Sequence, residues 1–220
     1  MEEHIVKIIS AEPVTHDVRR FKVEKPSGYK FIPGQATEIA VNKEEWKNER
    51  RPFTFTSLNE WDHLEFTIKI YPGHKGVTDQ LGKLKTGDEL LLHDVWGAIQ
   101  YKGEGVFIAG GAGVTPFIAI LRQLQKDGKL GKNKLIFSNK THNDIILKDE
   151  FAAMLAENFI NTLTEENFPG YDHSFIDEKY LQSKVRNFDQ QFYVCGPDPM
   201  IKAITGILQQ LGADAITIEM

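Results

Sequence analysis

The chain has 220 residues, of which 41% are hydrophobic and 26% charged, and its net charge is −5. These proportions are ordinary for a globular protein with one large domain or two domains of about 100 residues. The acidic net charge disfavours nucleic-acid binding, which needs a basic face. No apolar run approaches the ~18 residues of a membrane span. The acidic start does not resemble a signal peptide, so we expect a cytoplasmic protein.

A single cysteine, Cys195, excludes an internal disulfide, and it excludes an iron–sulfur cluster, which needs about four thiolates. The seven histidines are scattered and are interpreted as surface or structural residues. The sequence contains neither the His-Glu-x-x-His motif of metalloproteases nor the Gly-x-Ser-x-Gly motif of α/β-hydrolases. We therefore expect no metal site and no hydrolase chemistry.

The first hundred residues have the pattern of an antiparallel β-barrel. Short runs typical of strands are separated by turn residues, at 35–41, 53–57, 64–71 and 89–92. One short helix is predicted near Asp79–Leu84, with Thr78 as its N-cap. Apolar and polar residues alternate in the third run, which places Phe66 on one face and Glu65 on the other.

After about Tyr101 the pattern changes to strands alternating with helices, which predicts βαβ units and a parallel sheet. The predicted strands are 106–109, 135–137, 192–195 and 215–219. The predicted helices run from about Phe117 to Gly128, over 149–157 and over 200–211. We therefore predict two domains, a β-barrel at 1–100 and an α/β domain with a parallel sheet at 101–220.

Two strand-to-helix turns in the second half are predicted to bind phosphate groups. The turn at 110–116 contains three glycines, and Thr115 and Asp198 each precede a proline as predicted N-caps. Helix N-termini favour anions, and ligands of parallel sheets bind beyond the carboxyl ends of the strands. The spacing differs from G-x-G-x-x-G, and the alternative is that the glycines serve only tight packing.

Four other features each have a structural alternative. Cys195 ends a predicted strand at the ligand edge of the sheet, although free cysteines are usually small buried hydrophobes. Arg51 is a candidate for bidentate phosphate binding or an ordinary surface arginine. Phe53 is a candidate stacking platform or a core residue. The stretch Gly76–Thr78 is a second candidate phosphate loop or only a helix start.

These segments, in this order, resemble the ferredoxin–NADP⁺ reductase family over essentially the whole chain. The resemblance implies a flavin-binding barrel at 1–100 and an NAD(P)-binding α/β domain at 101–220. It also implies that Arg51, Pro52, Phe53 and Thr54 form the flavin motif. In that motif Arg51 holds the diphosphate, Phe53 stacks on the isoalloxazine, and Thr54 bonds near N5. Phe53 and Thr54 replace the tyrosine and serine of the family pattern.

The resemblance implies further cofactor-binding positions in both domains. In the barrel they are the strand Ile68, Lys69, Ile70 and the loop Gly76, Val77, Thr78. In the α/β domain they are Gly111, Ala112, Gly113 and Thr115, and the stretch Cys195, Gly196, Pro197, Asp198 beside the nicotinamide. Thr54, Cys195 and Glu219 are implied to surround the hydride path as catalytic residues, with Cys195 orienting rather than attacking.

The expected cofactors are FAD and a nicotinamide dinucleotide. FAD is preferred to FMN because Gly76–Thr78 suits a diphosphate. No acid follows the strand at 135–137 before Asp144, whereas Ser138 and Lys140 suit a 2′-phosphate, which favours NADP over NAD. The alternative is that Lys140 is an ordinary exposed lysine.

We therefore predict an FAD-dependent NAD(P)H oxidoreductase that serves a separate carrier such as ferredoxin or flavodoxin. Arg50, Lys69 and Lys75 could attract an acidic carrier. The alternatives are a reductase component of an oxygenase system, a free-flavin reductase, or a non-catalytic nucleotide-binding module. Catalysis would require the Arg51–Thr54 stretch and the glycine and cysteine turns to face one cleft.

Overall fold

A computed structural model describes residues 3–97 and 99–218 of the chain. It divides into two compact units. The first unit consists of Met1–Gln100 together with Thr115–Gln123, and the second consists of Tyr101–Val114 together with Leu124–Met220.

The first unit is built on one six-stranded antiparallel sheet. Its strands are β1 (His4–Pro13), β2 (Val18–Glu24), β3 (Gln35–Val41), β4 (Arg51–Thr54), β5 (His63–Lys69) and β6 (Glu89–Gly97). They lie in the order β4-β3-β6-β1-β2-β5. Just beyond β4, the amide of Thr56 donates to the carbonyl of Glu65 at 2.8 Å, which brings the two edge strands together. This barrel-like sheet confirms the predicted fold class of the N-terminal half. One short helix, α1 (Val77–Leu81), follows β5.

The interior of this sheet is filled with aromatic and branched side chains, among which Phe21, Phe55 and Phe66 are fully buried. The predicted alternation of β5 holds for Phe66, but Glu65 on the opposite face is also buried. The reason is that Arg122, in the segment Thr115–Gln123 of the same unit, covers this second face and pairs with the Glu65 carboxylate.

The second unit contains a parallel sheet, as predicted, with five strands in place of the four that the sequence indicated. Its strands are β7 (Gly105–Gly110), β8 (Lys134–Asn139), β9 (Phe159–Leu163), β10 (Gln191–Cys195) and β11 (Ala215–Ile218). The order β11-β10-β7-β8-β9 reverses direction between β7 and β10. Ligands of open α/β sheets bind at such a switch point, outside the carboxyl ends of the strands.

The remaining helices are α2 (Thr115–Lys126), α3 (Lys148–Leu155), α4 (Glu178–Lys184) and α5 (Asp198–Gln210). The apolar face of α5, with Ile201, Ile204 and Leu208, packs in one buried cluster with Ile136 and Val194 of the sheet. Among the residues that the structure describes, no helix has the length and apolar character that crossing a membrane requires.

Three predicted N-caps are corrected, among them Thr115, which is the first residue of α2 and not its cap. α5 begins at Asp198 with Pro197 in the cap position, so Asp198 is not the N-cap. Proline is well tolerated in the first turn, and Pro199 therefore allows the helix to begin one residue earlier. α1 begins at Val77 with Gly76 as its cap, so Thr78 lies inside the helix. α2 begins at Thr115, directly after a 3-10 turn over Gly111–Val114.

Candidate functional site

The predicted flavin motif lies on an edge strand of the first unit. β4 pairs with β3 alone in the sheet order, with Thr54 opposite Ala36 and Phe53 opposite Thr37. An edge strand leaves backbone donors and acceptors available to a ligand. The side chains of Arg51 and Pro52, at the start of the strand, are exposed.

The hydroxyl of Thr54 is the most informative atom of this strand. Its Oγ1 is buried and has no hydrogen-bond partner among the residues that the structure describes. An unpaired buried hydroxyl costs about 1–3 kcal/mol, so a native structure normally supplies a partner. A ring nitrogen of a bound flavin is a group that this hydroxyl fits.

The neighbouring side chains have mixed surroundings. Phe53 is half-buried and packs against the core of the barrel, so part of its ring serves the core and part remains accessible. The Arg51 guanidinium donates to the Arg50 carbonyl at 2.6 Å and lies 3.8 Å from a carboxylate oxygen of Glu49. Its exposed position leaves the remaining N–H groups accessible to an anion.

The predicted residues Ile68 and Lys69 lie at the end of the second edge strand, β5, and Ile70 follows directly. Ile68 and Ile70 are buried, and the Lys69 ammonium lies 2.8 Å from the Asp17 carboxylate. Burial raises the pKa of Asp17, but the hydrogen bond and positive charge of Lys69 outweigh it and leave that pKa below its ordinary value. The charge of Lys69 is thus already paired, and a ligand would meet the backbone of this edge.

The loop before α1 is open. A Cβ placed on Gly76 would meet no atom within 4 Å. Val77 is buried as the first helical residue, and Thr78 is half-buried. Asp79 follows in the first turn, where it accepts a hydrogen bond from the Lys83 ammonium at 2.8 Å, which lowers the pKa of its carboxyl.

In the second unit, two of the predicted turns pack tightly on each other. A Cβ on Gly113 would overlap the carbonyl of Cys195, and a Cβ on Gly110 would overlap the Met200 sulfur. Gly111 adopts a positive φ of 51° with open space around it, a conformation that favours glycine. Tight packing therefore accounts for Gly110 and Gly113, whereas Gly111 leaves the backbone accessible.

The other residues of these turns also differ in burial. Ala112 is half-buried and Thr115 is buried at the start of α2. Gly196 is buried beside Gly110, whereas Pro197 and Asp198 are exposed where α5 begins. The exposed start of α5 is thus a face from which a helix N-terminus can meet an anion.

Cys195 ends β10 and lies opposite Ala109 of β7. Its side chain is fully buried, and burial raises the pKa of the thiol to about 12, despite a hydrogen bond from the Gly196 backbone that lowers it. A thiol with this pKa stays protonated at neutral pH and is a poor nucleophile. The state of the thiol therefore argues against nucleophilic attack by Cys195.

A pocket of about 390 Å³ lies within the second unit, beyond the carboxyl ends of β8, β9 and β10. It is mostly apolar with two hydroxyls, and its lining is Ser138, Thr164, Phe175, Ile176, Pro197, Pro199, Met200, Ala203 and Ile204. Such a site suits a flat base with a few polar groups. The pocket brings together Ser138 and Pro197, which the sequence predicted. Thr164 and Phe175 were missed, since they follow β9, which has no clear pattern in the sequence.

Lys140 was predicted to bind a 2′-phosphate, but the structure shows it in an ion pair. Its ammonium lies 2.9 Å from a carboxylate oxygen of Glu165, and both side chains are exposed. The hydrogen bond and charge of Glu165 raise the pKa of Lys140. The amide of Glu165 also donates to the Lys140 carbonyl at 3.0 Å. An acid is thus present beside Lys140, supplied by the segment after β9. Glu219, the third predicted catalytic residue, lies outside the described residues.

Comparisons with known proteins show which families the chain matches. The family described as "Oxidoreductase FAD-binding domain" matches residues 5–101, and "Oxidoreductase NAD-binding domain" matches residues 107–206. A solved ferredoxin NADP⁺ reductase from Neisseria gonorrhoeae, with bound FAD and NADP, has the same fold. It is 21% identical with a TM-score of 0.85, and the alignment covers 99% of this chain and 98% of that one. The chain belongs to the ferredoxin–NADP⁺ reductase family. The two family matches agree with the two cofactors predicted, FAD and a nicotinamide dinucleotide.

This ferredoxin–NADP⁺ reductase family member is similar to longer proteins. It is 29% identical over 217 residues to NADH-cytochrome b5 reductase 2 of Mycosarcoma maydis, covering 89% of this chain and 62% of the relative. It is 28% identical over 224 residues to the reductase component of propane 2-monooxygenase from Rhodococcus jostii strain RHA1, covering 94% of this chain and 60% of the relative. The chain thus spans about three fifths of the length of these two relatives.

Proposed function

We propose that this chain is an FAD-dependent oxidoreductase that oxidises NAD(P)H and passes the electrons to a separate acceptor. The observation that carries the proposal is the buried Thr54 hydroxyl, which has no partner among the described residues and lies on an edge strand of the unit that matches the FAD-binding family. FAD held there would supply the hydride and single-electron chemistry.

In the first unit, which contains the match to the FAD-binding family, each residue has a separate role. Thr54 would donate a hydrogen bond to the flavin near N5, and its hydroxyl would gain the partner that it lacks among the described residues. Phe53 contributes the accessible part of its ring to the isoalloxazine. The exposed Arg51 guanidinium and the amides at Gly76–Thr78 bind the diphosphate. The backbone at Ile68–Ile70 borders the flavin along the second edge strand.

In the second unit, the switch point of the parallel sheet supplies the surface that binds the dinucleotide. The Gly111–Val114 turn offers backbone amides to the dinucleotide diphosphate, and so does Thr115, which follows this turn in the chain but belongs to the first unit. Cys195, protonated and buried, gives the nicotinamide an uncharged wall beside Gly196 and Pro197. The pocket that contains Ser138 and Thr164 takes the adenosine end.

We propose NADPH as the better reductant of the two. Ser138 and Thr164 bring hydroxyls to the pocket, Lys140 lies two residues after Ser138, and none of the residues that line the pocket is acidic. A 2′-phosphate favours such donors, whereas NAD is usually selected by a carboxylate on the ribose. Glu165 works against this choice because it holds Lys140 in an ion pair.

The test of the function is anaerobic reduction of the purified protein. A yellow protein whose visible absorbance is bleached by NAD(P)H in a stopped-flow experiment supports the proposal. A colourless protein that binds nucleotide without turnover would instead support a non-catalytic nucleotide-binding module. Comparison of NADPH with NADH in the same experiment gives the dinucleotide preference.

The electron acceptor is proposed to be a carrier protein of the ferredoxin or flavodoxin type. Of the three basic residues near the motif, Lys69 is paired with Asp17, and Arg50 lies 3.8 Å from Glu38, which reduces the positive charge available for steering. A second candidate is an oxygenase component, because one relative is the reductase component of propane 2-monooxygenase. Steady-state rates with ferredoxin, flavodoxin, free flavin and ferricyanide separate these acceptors. A rate with free FMN above the rates with both carriers would favour a free-flavin reductase.

A further inference from the structure

A buried ion pair crosses the first unit from β5 to α2. Nη1 of Arg122 lies 2.7 Å from Oε1 of Glu65, and the two side chains are 9% and 2% exposed. Arg122 belongs to the segment Thr115–Gln123, which is part of the same compact unit as the barrel strands. The pair thus holds the first turns of α2 against the outer face of β5.

The same nitrogen also contacts the backbone just beyond the flavin-motif strand β4. Nη1 of Arg122 donates to the carbonyl of Thr56 at 2.6 Å, two residues after Thr54. The Thr56 hydroxyl in turn donates to Oε1 of Glu65 at 2.9 Å and lies 3.3 Å from the Thr67 hydroxyl. The guanidinium carbon is 5.4 Å from the centre of the Trp61 ring.

Stability alone is a poor explanation for this network. Removing two charges from water is costly, and apolar residues of similar size often replace a buried ion pair without loss of stability. The network does fix the relative position of the groups that it binds, because a guanidinium has donors in fixed directions and holds its hydrogen-bond partners in one geometry. Arg122 belongs to the helix that begins at Thr115, and its guanidinium binds the backbone just after Thr54. The network therefore links this helix to that backbone.

We propose that Glu65 and Arg122 are positioning residues for hydride transfer, which fix the start of α2 at Thr115 relative to Thr54. This inference rests on the proposed function, in which Thr54 serves the flavin and Thr115 serves the dinucleotide diphosphate. Both residues lie in the first unit. Hydride transfer depends steeply on the placement of its reactants, so a shift of about 1 Å can lower the rate roughly 100-fold.

The test compares E65Q/R122M, which removes both charges with little change in volume, with R20M as a matched control. Arg20 pairs with Glu12 at 2.9 Å in a partly exposed position on β2. FAD-loaded proteins are reduced anaerobically with saturating NADPH or NADH, and separately with dithionite. The amplitude reports the fraction that carries flavin, whereas the first-order rate constant reports geometry in that fraction alone.

We expect the double variant to keep FAD and its reduction by dithionite, while its rate constant with the dinucleotide falls by about 100-fold. R20M should match the unmodified protein. An unchanged rate constant in the double variant, even with a lower melting temperature, would show that the network is only structural. Failure of the unmodified protein to be reduced by either dinucleotide would overturn the proposed function itself, and this inference with it.

A second variant keeps the test decisive if the double variant does not fold. E65D retains the charge and shortens the side chain by one methylene, so the ion pair persists in a displaced position. The expected result is a fall in the rate constant of about tenfold with normal FAD content. A rate constant equal to that of the unmodified protein would overturn the positioning role.

Discussion

Gly113 lies directly against the carbonyl group of Cys195, so closely that a Cβ at position 113 would overlap the carbonyl oxygen. This contact joins the turn after β7 to the end of β10, the two strands between which the sheet order reverses. The proposed dinucleotide surface is therefore formed by two turns that are held together through backbone contact. Its shape depends on the absence of a side chain at Gly113.

Gly113→Ala is expected to separate these two turns. The backbone of Cys195 cannot move aside as a flexible side chain would, so overpacking should lower the free energy of unfolding by about 1–3 kcal/mol. Dinucleotide affinity should fall as well, which titration of the oxidised protein with NADP⁺ would measure. Gly206→Ala in α5 is the control, because a Cβ there meets open space. That control should gain about 0.5–1 kcal/mol from helix propensity. Equal stability of the two variants would contradict this packing.

The Cys195 thiol should make the protein less stable in alkaline solution. Its pKa is about 12 in the folded state and 9.0 ordinarily, so above pH 9 the unfolded chain releases this proton and the folded protein keeps it. The stabilising contribution is complete below pH 9 and decreases by about 1.4 kcal/mol per pH unit between pH 9 and 12. Urea unfolding from pH 8 to 10.5 measures this slope.

Cys195→Ser is the comparison for that slope, since a serine hydroxyl does not titrate in this range. The difference in unfolding free energy between the two proteins should shrink as pH rises above 9. Parallel curves would show that the thiol does not have a raised pKa. In the same variant, hydride transfer should slow while FAD remains bound, because the residue borders the nicotinamide in the proposed function.

The sequence was sufficient for the architecture because both sheets follow strong local rules. The run at 35–41 coincides with β3, and the apolar strand at 106–109 lies within β7. β9 was missed because Phe159–Leu163 has neither a continuous apolar run nor a regular alternation. The helix starts were predicted at the wrong residues because a side chain such as that of Asp198, which precedes a proline, can cap a helix but need not do so.

The electrostatic contacts could not be predicted in this way. Glu65 and Arg122 are separated by 57 positions, and nothing local distinguishes Glu65 from a solvent-facing acid in an alternating strand. Glu165 could not be predicted beside Lys140, because it follows the neighbouring strand β9 and is distant from Ser138 along the chain. Pairing across a sheet edge depends on strand order, which the sequence pattern did not specify for β9.

Glu165→Gln is expected to raise the preference for NADPH. Without its carboxylate partner, Lys140 is available to a 2′-phosphate, and kcat/KM for NADPH should rise by at most about fivefold, as for an exposed ion pair. NADH lacks the phosphate, so its kcat/KM should stay unchanged. Lys140→Ala is the matched variant and should lower kcat/KM for NADPH alone. If both variants affect NADH and NADPH equally, Lys140 does not contact the 2′-position.

Thr54→Val is expected to separate stability from catalysis. The substitution removes a buried hydroxyl that has no partner among the described residues, so the flavin-free protein should be as stable or about 1 kcal/mol more stable. With FAD bound, loss of the hydrogen bond near N5 should slow flavin reduction by NAD(P)H on the order of 100-fold. Thr54→Ser keeps the hydroxyl and should retain most of the rate. Chemical unfolding of the flavin-free proteins and anaerobic stopped-flow reduction of the loaded proteins measure the two effects. Rapid reduction of the valine variant would remove Thr54 from the catalytic residues, because its hydroxyl is the only hydrogen-bonding group that this substitution takes away.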